Sequence, residues 1–156
     1  MKARFFTKGL AVLAGAALVF ILSLQGCSTK PTEAPSTTVI TGTAQLSVSS
    51  GDNRDSYSFV SGGINYGKLT LVYYTPTVLG MEAVGIMAGT GTTAPDTGYS
   101  TSATVTVGQS YFVKTDNAVH YARITITSQK EDAGSGYTTV GFQWVLQTEA
   151  NNRNLY

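Results

Sequence analysis

The chain has 156 residues, a formal net charge of +1, one cysteine and one histidine. The near-neutral charge argues against a nucleic-acid-binding protein, because such proteins carry a clustered basic surface. A single cysteine excludes a disulfide within the chain, and a single histidine excludes a metal site built from several histidines. A chain of this length can bury a core and is expected to form one folded domain.

Residues 1–26 have the layout of a secretory signal peptide. Lys2, Arg4 and Lys8 give a positively charged start, and a mostly apolar run at 9–22 follows. This run is shorter than the ~20 residues that a membrane-spanning helix prefers. A cleaved leader is therefore favoured over an uncleaved transmembrane helix.

The leader ends in Leu24-Gln25-Gly26-Cys27, which resembles the lipobox of bacterial lipoproteins. The resemblance implies cleavage between Gly26 and Cys27 and attachment of acyl chains such as palmitate to Cys27. Each buried methylene of such a chain contributes ~0.8 kcal/mol, so the lipid would anchor the protein to a membrane of the bacterial cell envelope. Ser28 stands where aspartate marks inner-membrane retention in the best-known sorting rule for lipoproteins, which favours the outer membrane.

A flexible tether is predicted after the anchor. Residues 27–38 contain two prolines and many hydroxyl residues, without an apolar period. We therefore divide the chain into a signal peptide at 1–26, the lipidated cysteine and tether at 27–38, and a β-rich domain at 39–156. The leader holds three of the ten basic residues and none of the nine acidic ones, so the remaining chain is slightly acidic.

Alternation of apolar and polar residues predicts β-strands through most of the remaining chain. In the clearest strand, Val140, Phe142, Trp144 and Leu146 share one face. Burying one such large side chain is worth ~1.5–3 kcal/mol, so this strand is predicted to be central to the core. Alternation also predicts strands at 40–48, 57–59, 103–107, 111–113 and 119–127, and richness in Leu, Val, Thr and Tyr predicts one at 68–75.

The region 76–102 is predicted to be a long, partly irregular connection with one short strand near 84–87. Gly80 and Gly85 interrupt its pattern, and neither the helical nor the strand period prevails. Gly108-Gln109 predicts a tight hairpin turn between two strands. Seven or eight short strands without a helix indicate an all-β fold, an antiparallel sandwich or barrel.

The C-terminal third is similar to the corresponding part of HmuY-like lipoproteins. The matching segments are at 111–117, 120–128, 142–147 and 152–155. The resemblance implies an all-β fold and capture of haem at the cell surface. The best-known members use two histidines as axial ligands, which cannot be carried over because His120 is the only histidine. Some relatives use methionines, which makes Met81 and Met87 further candidates.

Each candidate ligand has a structural alternative. His120 is in register with the apolar residues Ala122 and Ile124, so it is either a hydrogen-bonded histidine at a strand end or a ligand of haem or a metal. Met81 and Met87 are either core residues that fill gaps or ligands. Several tyrosines are either strand formers or a binding surface: Tyr73, Tyr74, Tyr99, Tyr111, Tyr121 and Tyr137.

No set of residues indicates an enzyme, and no catalytic or metal site is predicted. A Gly-x-Ser-x-Gly elbow is missing from the sequence, which makes a hydrolase the weakest hypothesis. The first hypothesis is a non-enzymatic envelope lipoprotein whose β-domain binds a ligand or partner, with haem as the ligand that the resemblance names. The alternative is a structural or assembly lipoprotein without a small-molecule ligand, which contacts another envelope protein through a sheet edge or the 76–102 region.

Overall fold

The computed structural model describes residues 38–75 and 77–156, and within these ranges it contains eight strands and no helix that could cross a membrane. The predicted leader, Cys27 and most of the tether lie outside the described residues, as does Pro76. The strands are β1 (Val39–Val48), β2 (Arg54–Ser61), β3 (Ile64–Thr75), β4 (Val78–Ala88), β5 (Ser100–Thr104), β6 (Ser110–Lys114), β7 (Tyr121–Asp132) and β8 (Tyr137–Gln147).

All strand pairs are antiparallel, and they form one nearly closed, barrel-like sheet. The strand order is β1-β8-β7-β6-β4-β3-β2, with β5 added on β4. The longest ladders join β8 to β1 and to β7, with ten residue pairs in each. The predicted all-β antiparallel fold is confirmed.

The sheet divides at β4, in a feature that we call the fork. Gly80, Met81 and Glu82 pair with both β3 and β5, and Ile86 pairs with both β5 and β6. It follows that β5 runs along one edge of β4, whereas β3 and β6 follow one another along the opposite edge. The pairing with β3 ends at Glu82 and the pairing with β6 begins at Gly85.

The sheet ends at β1 and β2, which lie side by side in a feature that we call the seam. In the described part of the chain these two strands share no ladder. The backbone N–H of Ser47 in β1 instead donates a hydrogen bond of 2.9 Å to Asp55 Oδ2 in β2. Side chains close the remainder of the gap.

Four aromatic rings pack beneath the seam. Tyr57 and Phe59 from β2 contact Trp144 from β8, with ring centroids 6.0 and 5.7 Å away. Tyr57 also lies edge-on to Phe142 at 5.6 Å. A Cβ atom added to Gly42 of β1 would lie 2.5 Å from the Trp144 ring, so the glycine leaves the space that the indole occupies.

The interior of the sheet is filled with apolar side chains. Trp144 is 8% exposed, and the predicted inward positions of β8 are all buried. The predicted inward face of β1 is likewise confirmed, since Leu46 and Val48 are buried and Thr43 is exposed. Side chains from all eight strands contribute to this core.

A second apolar cluster lies on the outer face of the sheet, and we call it the outer cluster. Phe112 and Tyr121 from β6 and β7 pack there against Ala94 and Leu155. Ala94 precedes β5, and Leu155 belongs to the C-terminal segment. The two covering segments are joined by an isolated β-bridge between Thr93 and Asn154.

The prediction for 76–102 was wrong in its first part, because Val78–Ala88 is one continuous strand. Its glycines make room for aromatic rings instead of ending the strand. A Cβ on Gly80 would lie 2.6 Å from the Tyr74 ring, and one on Gly85 would lie 3.1 Å from Tyr99 Cβ. The segment between β4 and β5 is irregular, as predicted, and it covers the outer cluster.

The strand predicted at 103–107 is displaced, since β5 spans Ser100–Thr104. A turn does occur near Gly108, whose φ is +83°, but it does not join two mutually paired strands. Within the described residues, β5 pairs only with β4, and β6 pairs with β4 and β7. Val105 and Val107, whose alternation predicted a strand, lie in the connection that follows β5.

Candidate functional site

His120 lies in the turn between β6 and β7, and hydrogen bonds hold its side chain. Its Nδ1 is 2.7 Å from Asp116 Oδ2, and its backbone N–H donates to Asp116 Oδ1 at 3.0 Å. The imidazole packs edge-on against Tyr66, with ring centroids 5.1 Å apart. The prediction of a hydrogen-bonded histidine at a strand end is confirmed.

The two candidate methionines lie on opposite faces of β4. Met81 is 1% exposed and belongs to the core. Met87 pairs with Phe112 of the outer cluster, and cross-strand partners share a face. In a regular strand, Met81 and Met87 would share a face, since they are six positions apart. The irregular stretch between Glu82 and Ile86 reverses the faces of β4, so that Ile86 faces the core and Met87 faces outward.

The structure does not bring His120, Met81 and Met87 together. Met81 pairs with Leu71, which is five residues along β3 from the Tyr66 that contacts His120, or about 16 Å at the rise of a strand. Met87 faces away from the core. These three side chains therefore do not fit haem as a shared set of axial ligands.

The tyrosines also divide between different environments instead of forming one binding surface. Tyr111 and Tyr121 are buried, and the Tyr111 hydroxyl donates to the Thr104 carbonyl at 2.7 Å. Tyr74 is 55% exposed and Tyr137 is 36% exposed, on different strand pairs. Tyr73 packs against the core. Most of the set is explained by packing.

Tyr99 and Lys114 contact each other on the outer face of the sheet. The Lys114 ammonium lies 4.5 Å from the centroid of the Tyr99 ring, within the range of a cation–π interaction. The Tyr99 hydroxyl donates to the Pro95 carbonyl at 3.1 Å. Burial and the nearby Tyr121 raise the pKa of Tyr99 to about 12, against the opposing effect of Arg153.

A cleft of about 410 Å³ lies at the fork, and we call it the fork cleft. Its walls come from β2, β3, β4 and the end of β6. The lining includes Arg54, Lys68, Thr70, Glu82, Val84 and Thr115. Arg54 reaches across β3 and forms an ion pair with Glu82.

Hydrogen bonds between β3 and Thr115, which follows β6, hold the floor of the fork cleft. The Lys68 N–H donates to the Thr115 carbonyl at 3.1 Å, and the Thr115 hydroxyl donates to the Tyr66 carbonyl. Gly67 has a φ of +100°, and a Cβ atom there would overlap the Thr115 carbonyl oxygen. Only glycine fits this position, which places Lys68 beside the end of β6.

A second depression, of about 510 Å³, crosses the outer faces of β1, β8 and β7. Hydroxyl and amide side chains line it, among them Thr43, Gln45 and Gln143. A Cβ on Gly141 would lie 2.6 Å from Ser128 Oγ, at the irregularity in the pairing of β7 with β8.

The described residues contain no group of three or more histidine, cysteine, aspartate or glutamate side chains that could hold a metal ion. Comparisons of the chain with models of protein families, with curated proteins and with solved structures found no match.

Sequence reasoning missed the fork cleft. Arg54, Lys68 and Glu82 come from three different strands, and each was an ordinary outward residue of its segment. Their proximity depends on the strand order and the register, which alternation does not specify. The structure places Gly67 inside β3, although the predicted strand began only at residue 68, and a glycine inside a strand often marks close approach of another backbone.

Proposed function

We propose that this protein is a lipid-anchored, non-enzymatic protein of the bacterial cell envelope, whose barrel-like domain binds a ligand or partner outside the membrane. The observation that carries the proposal is the Leu24-Gln25-Gly26-Cys27 motif behind a charged and apolar leader. Ser28 after the cysteine favours the outer membrane. Lipid supplies the membrane attachment, so the domain needs no membrane-seeking surface of its own.

The position of Thr38 is consistent with this arrangement. The Thr38 carbonyl accepts hydrogen bonds from the backbone and hydroxyl of Thr148 at 2.7 Å each, so the chain enters β1 beside the end of β8. In the proposed arrangement the tether leaves the domain at this end. The turns after β1 and β7 lie at the opposite ends of their strands from Thr38.

Metabolic labelling with a palmitate analogue tests the anchor. We expect label on the full chain and on a Ser28→Ala variant, but none on Cys27→Ser. The matched Ser28→Ala variant alters the neighbouring residue and keeps the thiol. Label retained on Cys27→Ser would contradict lipidation at this residue.

A structural or assembly role is the second candidate function. It is favoured by the edge of β1, because within the described chain only one backbone hydrogen bond, from Ser47 to Asp55, links this edge to β2. Free strand edges are common sites for pairing with another chain. Purification of the full chain from solubilised membranes distinguishes the two roles: a stoichiometric protein partner supports assembly, and a co-purifying small molecule supports ligand binding.

A further inference from the structure

We infer that the fork cleft binds a small amphipathic anion, with a carboxylate against Lys68 and an apolar group against Ala83 and Val84. The inference names a ligand class for the binding role proposed above and rests on that role.

The charges of the fork cleft favour an anion. Arg54 and Glu82 form an ion pair and neutralise each other. Lys68 has no carboxylate within 4.0 Å among residues 38–75 and 77–156, so its positive charge is left over. A carboxylate ligand would accept a charge-assisted hydrogen bond from the Lys68 ammonium.

The opposite wall is apolar and lacks regular strand pairing. Val84 is 47% exposed in the cleft, although it lies in the middle of β4. Ala83 and Val84 fall between the end of the β3 ladder and the start of the β6 ladder, and they are not paired with β5 either. Bulged strands often occur beside binding sites, where they turn a side chain toward the ligand.

The walls are held in place before any ligand binds. Thr115 fixes the backbone of Lys68 through the carbonyl contact, and the pairing of Thr70 with Glu82 fixes β4 on the other side. The volume of about 410 Å³ falls within the range of small-molecule sites, ~300–1,000 Å³. A preformed site lowers the entropic cost of binding a small ligand.

Titration of the full-length protein with hexanoate tests the inference. The isotope-labelled chain is kept in a neutral detergent, and the backbone amide shifts are followed by NMR. We expect saturable shifts at Lys68, Ala83 and Val84. Hexanol has the same chain length without the charge, and we expect it to bind about fivefold more weakly than hexanoate.

Two lysine variants complete the test. Lys68→Gln keeps a polar side chain of similar length, and we expect a loss of hexanoate affinity of about fivefold. Lys130→Gln removes an equal charge from β7, and its affinity for hexanoate should match that of the wild type. Because all samples contain the same detergent, uptake of hexanoate by the detergent affects them equally. Dispersed amide spectra show that each variant is folded.

Three results would overturn the inference: shifts that do not saturate, equal binding of hexanol and hexanoate, or wild-type affinity in Lys68→Gln. Any of these would leave the labelling of Cys27 and the co-purification experiment unaffected. The site and the proposed function can therefore fail separately.

Discussion

At the seam, β1 and β2 run side by side without a ladder. At the fork, β3 leaves β4 where β6 begins to pair with it, and hydrogen bonds join β3 to the end of β6. Aromatic side chains close the seam from beneath, with Tyr57 and Phe59 packed on Trp144. A backbone hydrogen bond to the Thr115 carbonyl and one donated by the Thr115 hydroxyl close the fork. One continuous sheet thus uses two different interactions where its strands part.

The difference determines how each region responds to substitution. Burial of large apolar surface contributes free energy in proportion to area and tolerates small shifts of the rings. A backbone contact at a positive φ depends on a single residue type. The seam should therefore be sensitive to loss of side-chain volume, and the fork should be sensitive to gain of a single methyl group.

The largest effect is expected for Trp144→Ala at the seam. Truncation of a buried tryptophan typically costs ~3–5 kcal/mol, against a total stability of ~5–15 kcal/mol for a domain. The side chain is 8% exposed, and it contacts two rings of β2. Denaturant unfolding followed by far-UV circular dichroism should show a large loss of stability or no folded state.

Gln143→Ala is the matched control for Trp144, because Gln143 is the exposed neighbour in β8. We expect its stability to stay within about 0.5 kcal/mol of the wild type. The single tryptophan also reports on its own burial, so wild-type emission should be blue-shifted and shielded from iodide. Equal stability of the two variants would show that the rings do not hold the seam.

Gly67→Ala at the fork should have the next largest effect. The added Cβ would overlap the Thr115 carbonyl oxygen, so both the positive φ and the contact oppose it. We expect a loss of about 3 kcal/mol in the free energy of unfolding. Gly62→Ala is the control, since Gly62 also has a positive φ but no atom within 4 Å of an added Cβ, and about 1 kcal/mol is expected there.

The sequence predicts the seam better than the fork, because the seam is built from large residues with period two. Val140, Phe142 and Trp144 alternate over a strand that is buried on one face, so both the strand and its inward face were predicted. At the fork, Gly80 lies against the ring of Tyr74 and Gly85 lies against Tyr99, and the register brings each pair together. Without knowledge of those rings, the glycines indicated a loop.

The candidate site follows the same rule. Arg54 and Glu82 are 28 positions apart, and their ion pair exists only because β2, β3 and β4 are neighbours. The hydrogen-bonded alternative for His120 is the one that the structure shows, with the partner Asp116 only four positions away. Local interactions can be inferred from sequence, but a cleft whose walls come from several strands requires the register.

Asp55→Ala tests whether the polar contact at the seam adds to the aromatic packing. The carboxylate accepts the Ser47 N–H at 2.9 Å, and removal should cost about 1 kcal/mol. Hydrogen exchange of the Ser47 amide should become faster, because the N–H then faces the open edge. Asp55→Asn keeps one acceptor oxygen and should lose less. Unchanged exchange in Asp55→Ala would assign seam closure to the rings alone.

The smallest effect concerns the arm of the fork that β6 forms, where Tyr99 packs beside Gly85 and under Lys114. Burial, with a further contribution from Tyr121, raises the pKa of Tyr99 to about 12, whereas an unfolded tyrosine titrates near ~10. Between these two values the unfolded chain has released the proton and the folded chain retains it. The unfolded state then binds fewer protons, so stability is fully present below about pH 10 and falls as the pH rises toward 12.

Tyr99→Phe cannot release this proton, so its stability should fall less steeply between pH 10 and 12. The difference should be less than about 1 kcal/mol, because Tyr99 is only half-buried and solvent screens the tyrosinate charge. Loss of the hydrogen bond to Pro95 shifts the variant equally at all pH values, so the slopes and not the absolute stabilities are compared. Tyr74→Phe removes an exposed tyrosine and should keep the wild-type slope. Identical slopes of stability against pH for Tyr99→Phe and the wild type would mean that this arm of the fork does not shield Tyr99 from water. The fork and the seam would then differ more in how they enclose their aromatic rings than the structure indicates.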